Sequence, residues 1–376
     1  MKKIAVIGAG AAGLACATAL QNENFEVMVF EQFDKTAKKV LASGNGRCNI
    51  SNEDMNISFY NTQNSIIESI IMNFNVHRFF NQLGLMIQKN GTLLYPYSNQ
   101  AISVKDVLMP KAKNIKILKE TKVNKIKIGK KYTIETSLGN YEVDYVILAM
   151  GSKASKLSGE DNLECLEQFD LKIESLNPSL VPFELKKSYR KLKGVRVKAE
   201  VSLLVNQNVI ATRQGEVQFN DGTISGICVM QLSRYYHQYH HQNVVVKLDL
   251  LPHLNEKEVE TLLNQRKKQF GHYYLEAIFN HKLAEVLNEN KIDLKNLQFE
   301  IKDVKSSQFA QVMQGGISLE EIDNSLQLKK YNGVYVIGEI LDVDGDCGGY
   351  NLHFAFASGV HVAKSIIDKE KLNVKN

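Results

Sequence analysis

Three glycines near the N-terminus are spaced for holding a phosphate. Lys3-Ile4-Ala5-Val6-Ile7 is an apolar run of strand length, and Gly8-Ala9-Gly10-Ala11-Ala12-Gly13 follows it directly. In such a Gly-x-Gly-x-x-Gly turn, Gly8 permits a tight strand-to-helix reversal and Gly10 has no Cβ to hold a pyrophosphate off the backbone. Gly13 lets the following helix lie close against a sheet, and the free N–H groups and dipole at that helix start attract an anion. A second apolar strand, Val27-Met28-Val29-Phe30, ends on Glu31, eighteen positions past Gly13. A carboxylate there can accept hydrogen bonds from an adenosine ribose. Strand, turn, helix, strand and acid in register predict a dinucleotide site, with Ala12 and Gln32 among its expected contacts.

Two further loops carry residue types suited to the same ligand. Lys38-Lys39-Val40-Leu41-Ala42-Ser43-Gly44-Asn45-Gly46-Arg47-Cys48-Asn49 is a basic turn followed by Gly, Asn and Ser. Lys38, Lys39 and Arg47 are natural counter-charges for a pyrophosphate, and Ser43, Gly44 and Asn45 expose backbone donors and tolerate positive φ. Near the other end, a strand at Gly333–Glu339 leads through Asp342-Val343-Asp344-Gly345-Asp346-Cys347-Gly348-Gly349-Tyr350-Asn351 into an Ala-rich helix from Leu352 to about Asp368. A second loop-to-helix junction so far from the first predicts a cofactor long enough to need two anchors. FAD fits, with its ADP half on the first helix and its flavin ring at the second, where a helix start would favour an anionic reduced ring. Tyr350 and Asn351 are then the candidate side chains for catalysis. Cys48 has no closely spaced partner thiol and is read as packing beside the cofactor, not as half of a disulfide reductase.

The elements that must position these loops follow from periodicity. Helical spacing runs from about Ser65 to Leu83 and from Ala101 to Lys113. Extended pieces are expected at Lys116–Leu118, Val123–Ile128, Tyr132–Thr136 and Tyr141–Val143, the last three separated by turn residues as in an antiparallel ribbon. Tyr145–Gly151 returns to a main sheet and brings Gly151 near the nucleotide. The texture changes at Asn177–Pro182: Val195–Val205, Val209–Thr212 and Glu216–Phe219 alternate like half-buried strands. From about Asn255 to Asn290 the pattern is helical, opened by Asn255 and Glu258 as a capping box, with Arg266-Lys267-Lys268 on a solvated face. The fold class is therefore α/β with a β-rich interruption.

Composition limits the alternatives. At 376 residues the chain exceeds one ordinary domain, and 44% hydrophobic with 23% charged residues reads as a soluble globular protein. The formal net charge of +5 is spread along the chain, not packed into a tail, so nucleic acid is an unlikely partner and a small molecule the expected one. Five scattered cysteines argue for a reducing cytoplasm and against a zinc site or a disulfide scaffold. His237, His240 and His241 have helical spacing but no acid or thiol beside them, so no metal is expected. No signal peptide and no run of membrane-spanning length is apparent.

Several of these stretches together resemble the BaiN/YhiN-like family of bacterial FAD-binding oxidoreductases. They are the N-terminal glycine turn, Lys38–Asn49, Gln314-Gly315-Gly316-Ile317, and Gly338-Glu339-Ile340-Leu341-Asp342-Val343-Asp344-Gly345 leading to Gly348-Gly349-Tyr350-Asn351. The resemblance spans nearly the whole chain. It implies a Rossmann-like FAD domain of the two-dinucleotide type, interrupted by a β-barrel-like insertion and a small helical one. The expected division is 1–182 and 311–376 for the FAD domain, 183–240 with about 298–310 for the β-rich insertion, and 241–297 for the helical insertion. It also implies FAD contacts at Glu31, Lys39, the Ser43–Asn45 loop, Val123, Gly151, Glu339, Asp344 and Gly349–Asn351. Two positions depart from the family pattern: Met313 stands where Thr is usual, and Ser152-Lys153 follow Gly151 where a second Gly is usual. The implied activity is oxidation or reduction of a small or hydrophobic organic substrate, with NAD(P)H as the expected electron donor. Two other readings stay open: an FAD protein that binds or modifies tRNA, and a regulatory protein that holds FAD without turnover.

Overall fold

The computed structural model describes residues 1–21, 23–159, 163–290 and 292–375. The chain divides into two compact units, Met1–Leu176 with Met313–Asn376, and Asn177–Val312.

The first unit is built on a five-stranded parallel sheet. Its strands are β1 (Lys2–Ile7), β2 (Phe25–Phe30), β3 (Ile115–Leu118), β4 (Tyr145–Leu148) and β5 (Val334–Val336), in the spatial order β5-β4-β1-β2-β3. Val27, Val29 and Tyr145–Leu148 are all buried, as expected where helices cover both faces of a parallel sheet. Helix α1 (Ala11–Ala19) buries every residue from Ala12 to Thr18. A helix apolar all round must be covered all round. The sheet covers one side and helix α2 (Tyr350–Lys375) the other: a methyl built on Gly359 would strike the Ala12 carbonyl. The order of strands reverses between β1 and β4, the point at which open α/β sheets bind ligands.

Local signals moved several boundaries from their expected places. The extended piece expected at Lys116–Leu118 begins at Ile115 and is the edge of the parallel sheet, paired with β2. The ribbon itself has three strands, Val123–Lys127, Tyr132–Thr136 and Gly139–Val143. The helical stretch at 65–83 is two helices, Ser65–Asn73 and Val76–Gln82, because Asn75 caps the second one by accepting the Arg78 N–H at 2.8 Å. The helix from Ala101 stops at Leu108, since Pro110 disfavours helical backbone before it. The C-terminal helix is longer than expected and begins at Tyr350, inside the glycine loop.

In the second unit, six strands close a barrel in the order Phe183–Leu185, Thr223–Ser225, Asn208–Asn220, Arg196–Val205, Val244–Asp249 and Leu297–Val304. Val244–Asp249 corrects the expected bounds of the helical insertion at 241–297: its alternating apolar residues belong to the barrel, paired with Arg196–Val205. Helices Glu256–Phe270 and His281–Glu289 follow, and the capping box forms in full. Arg266 is not on a free solvated face. Its Nε donates to the Tyr274 carbonyl and its Nη2 to the Glu276 carbonyl, both at 2.7 Å, so it staples the loop that ends the first of these helices.

Charge is divided unevenly between the units. Asn177–Val312 holds 19 of the 46 basic residues and 14 of the 41 acidic ones, which accounts for the whole excess of five. The rest of the chain is balanced. The expectation of a diffuse positive charge fails because a whole-chain count averages over this division.

Candidate functional site

The glycine turn has the geometry its spacing predicts, and its three glycines serve different ends. At Gly8, φ is +110°, and a Cβ would meet the Ala149 backbone just past the end of β4. At Gly13, a Cβ would collide with the Gly8 carbonyl, so both positions are closed by the protein's own backbone. Gly10, the N-cap of α1, is different: a Cβ built there meets nothing within 4 Å. The position lies open beside the uncapped N–H groups of α1. This is a cradle that a side chain would fill, and a pyrophosphate fits it.

Glu31 is buried, and its carboxylate accepts the Ala9 N–H at 3.1 Å and the Phe33 N–H at 3.0 Å. Burial pushes its carboxyl above the usual range, opposed by those two N–H groups and by the charge of Lys38. The side chain is thus fixed against the glycine turn itself. Replacing it leaves two amides without their acceptor, and losing a charged hydrogen bond costs roughly 1–3 kcal/mol. Glu31→Ala is therefore expected to weaken FAD retention by that order and to lower the unfolding midpoint; unchanged affinity would make Glu31 a strand end only.

The basic turn is arranged otherwise than as free counter-charges. Lys39 Nζ pairs with Glu339 Oε2 at 2.9 Å and reaches the Ser152 carbonyl at 3.2 Å. The Ser152 hydroxyl donates to the other Glu339 oxygen at 2.6 Å, and the Met313 N–H reaches that same oxygen at 3.2 Å. The two positions that depart from the family pattern therefore meet on one carboxylate. Gly151, with φ of +68°, stands beside it, and the neighbouring Gly338 packs on Ala12 of α1. Lys38 Nζ lies 3.4 Å over the Phe33 ring, and Gln32 packs on Gly159. Val123 begins the antiparallel ribbon.

Ser43–Gly46 forms a 3₁₀ turn in which Gly44 and Asn45 both have left-handed backbone. The Ser43 hydroxyl donates to the Val40 carbonyl at 2.7 Å, and Arg47 lies over the Tyr95 ring, exposed. Cys48 is buried, its thiol pushed up to about 11, which suits packing and not nucleophilic attack. Among the described residues, Asn49 Oδ1 is a buried acceptor with no donor. A ribose or ribityl hydroxyl is a donor of the required kind, so this atom also fits the cofactor.

The second anchor joins the same loop to α2. A Cβ on Gly349 would lie 2.5 Å from the Ser51 carbonyl oxygen, and Asn52 Nδ2 donates to the Gly348 carbonyl at 3.0 Å. Asn351 Oδ1 accepts the Gly345 N–H and its Nδ2 donates to the Gly345 carbonyl, each at 2.8 Å. The Tyr350 hydroxyl donates to the Asp54 carbonyl at 3.1 Å, and its ring stacks on Phe59 at 4.5 Å. Burial pushes its phenol far above the usual range. Both candidate catalytic side chains thus hold the turn that starts α2. Buried Asp344 is bound through its backbone to Asn61, whose side chain donates to Asp342 Oδ1 at 2.9 Å. Gly359, nine residues into α2, packs on Ala12 in the first turn of α1, so the start of α2 lies about 14 Å along its axis from that contact.

His353 was not among the expected residues. It is buried in the first turn of α2, with Nε2 2.9 Å from the Ile71 carbonyl. A carbonyl can only accept, so Nε2 carries the proton and Nδ1 accepts from the Ser51 hydroxyl at 2.7 Å. Burial pushes this imidazole down to about 4 from an ordinary 6.5. Above 6.5 it is neutral whether the chain is folded or not. As pH falls from 6.5 to 4, the unfolded chain takes up a proton that the folded one refuses, so stability drops by about 3 kcal/mol across that window. Urea midpoints measured through this range should show the fall in the parent protein and a shallower one in His353→Gln; equal slopes would remove His353 as the cause.

Comparison with known proteins decides the family. The model of the HI0933-like protein Rossmann domain matches residues 2–365. The chain belongs to this family. Its cofactor is FAD, and it is an oxidoreductase of the flavoprotein class. The 3-dehydro-bile acid delta(4,6)-reductase of Clostridium scindens is 32% identical, covering 98% of this chain and all of the relative. The ribosomal RNA dihydrouridine synthase of Haemophilus influenzae is 26% identical, covering 96% of this chain and 97% of the relative. Among solved structures, the apo Sdh1 complex of Mycobacterium smegmatis superposes with a TM-score of 0.51 at 12% identity, over 99% of this chain and 69% of the other. That likeness speaks for the fold of this HI0933-like chain and no further. No described helix is long and apolar enough to cross a membrane.

Proposed function

We propose that this HI0933-like protein is a reductase that adds hydrogen across a carbon–carbon double bond conjugated to a carbonyl group, with NAD(P)H as the reductant. The observation that carries this reading is the chemistry shared by two relatives that match nearly end to end. One is named as a delta(4,6)-reductase of a 3-dehydro compound, and the other makes dihydrouridine, which is uridine with hydrogen added. Bound FAD supplies a ring that accepts a hydride from one partner and gives it to another. The chain's part is to hold that ring and tune its surroundings. In this reading, Gly10 and the first N–H groups of α1 hold the pyrophosphate and Glu31 holds a ribose hydroxyl. Lys39, Ser152 and Glu339 form a fixed set beside them. The first turn of α2, braced by Tyr350, Asn351 and His353, presents N–H groups and a helix dipole that favour negative charge on the reduced ring.

The test is anaerobic. FAD-loaded protein is reduced with NADH or NADPH and then mixed with cyclohex-2-enone, a simple conjugated enone. Reoxidation of the flavin with formation of cyclohexanone is the expected result. A flavin that neither pyridine nucleotide bleaches would exclude the proposed reductant, and one that reoxidises with no enone consumed would exclude the acceptor class.

A second reading, in which the double bond belongs to a uracil base in RNA, is favoured by the concentration of positive charge in the barrel unit. Lysine-rich surfaces of that kind bind phosphate backbones.

A further inference from the structure

The excess charge of the barrel unit has a definite location. The thirteen residues Lys186-Lys187-Ser188-Tyr189-Arg190-Lys191-Leu192-Lys193-Gly194-Val195-Arg196-Val197-Lys198 contain seven basic side chains and no acid. The run leaves strand Phe183–Leu185, passes through a 3₁₀ turn at Arg190–Leu192, and enters strand Arg196–Val205. Its apolar members go inward: Leu192 is 1% exposed and Val195 3%, and the Tyr189 ring sits edge-on to Phe299 at 5.0 Å. All seven basic residues are exposed. The backbone is therefore pinned to the barrel while the cations face outward.

Three of the seven have carboxylate partners. Lys186 meets Glu300 at 3.2 Å, Lys191 meets Glu289 at 2.9 Å and Arg196 meets Glu216 at 3.2 Å. Both members of each pair are exposed, so these pairs are weak and a phosphate can displace the acid. Among the described residues, Lys187, Arg190, Lys193 and Lys198 have no carboxylate partner. Tyr189 is committed to packing, so the surface offers cations without an aromatic platform for bases. Such a surface grips a polyphosphate backbone and does not read sequence.

We propose that Lys186–Lys198 is an RNA-docking surface, which holds the phosphodiester backbone of a nucleic acid carrying the reducible base. This rests on the second reading above and goes beyond it in assigning the contact to the barrel unit. The surface is not expected to matter for a small free substrate.

The experiment uses the full-length, FAD-loaded chain and a fluorescein-labelled RNA hairpin, followed by anisotropy at a series of salt concentrations. The variant Lys187→Ala/Arg190→Ala/Lys193→Ala/Lys198→Ala should lose at least about tenfold in affinity. It should also flatten the dependence of log K on log salt by about three, the slope that four lost phosphate contacts carry. A control with Lys111, Lys113, Lys116 and Lys125 of the other unit changed to Ala should bind as the parent does. All eight side chains are surface lysines or arginines, and thermal midpoints of both variants check that folding is kept. The proposal is overturned if the parent protein does not bind the hairpin, if the barrel variant keeps its affinity and slope, or if the control loses as much. Tighter binding to phosphatidylglycerol vesicles than to the hairpin would also overturn it, in favour of a membrane surface. Cyclohex-2-enone reduction separates this from the reading beneath it. A protein that reduces the enone but ignores RNA loses the docking surface and keeps the reductase. One that binds RNA with the expected slope but reduces no enone keeps the surface and loses the proposed chemistry.

Discussion

Gly10→Val is expected to give a folded protein that does not hold FAD. The usual objection to a glycine-turn variant is that it unfolds the turn, and at two of the three positions that objection is sound. Side chains at Gly8 and Gly13 run into the backbones of Ala149 and Gly8, so variants there lose structure and cofactor together. At Gly10 the φ of −85° is one that any residue adopts, and, beyond its chain neighbours, no described atom lies within 4 Å of the added Cβ. The branched side chain therefore fills only the space a pyrophosphate needs. The purified variant should be colourless, should not take up FAD from excess, and should unfold close to the midpoint of the FAD-free parent. A yellow Gly10→Val protein with ordinary affinity would place the pyrophosphate elsewhere.

Gly349→Ala is expected to fail in the opposite way, with damage to the fold at the second anchor. Gly349 has a φ of +94°, and a Cβ there would meet the Ser51 carbonyl oxygen at 2.5 Å and the Ser51 Cα at 2.8 Å. Left-handed backbone costs a non-glycine residue about 1–3 kcal/mol, and forcing an atom into a packed site costs about the same again. Relief requires parting Ser51 from the start of α2. That would break the Ser51–His353 hydrogen bond and the Asn52–Gly348 one. Denaturant unfolding should show a loss of about 2–6 kcal/mol, with weakened FAD binding as a consequence. A variant as stable as the parent would mean that the loop shifts freely and braces nothing.

What the sequence made legible is what depends on near neighbours. The glycine turn, the acid at the end of β2 and the Asn255–Glu258 capping box each sit within a few residues of the groups they serve. The two loop-to-helix junctions were legible as well, because each loop carries its own glycine signature. The Lys39–Glu339 pair spans 300 residues and the Ser51–His353 bond 302, and nothing local announces either. Lys39 and Arg47 read as free cations until the fold supplied a carboxylate for one and a tyrosine ring for the other. Val244–Asp249 fell inside the stretch assigned to the helical insertion, and only barrel closure gives it partners. The basic run at Lys186–Lys198 is a different failure: it is local and plain, but a net charge taken over the whole chain hides it.

An FAD stretched between α1 and α2 is the central expectation for this protein. Denaturing the purified protein and identifying the flavin released tests this most directly. The expected result is FAD, in molar equivalence to the chain, after purification or after incubation with excess cofactor. Release of FMN, or a chain that takes up no FAD at all, would contradict it.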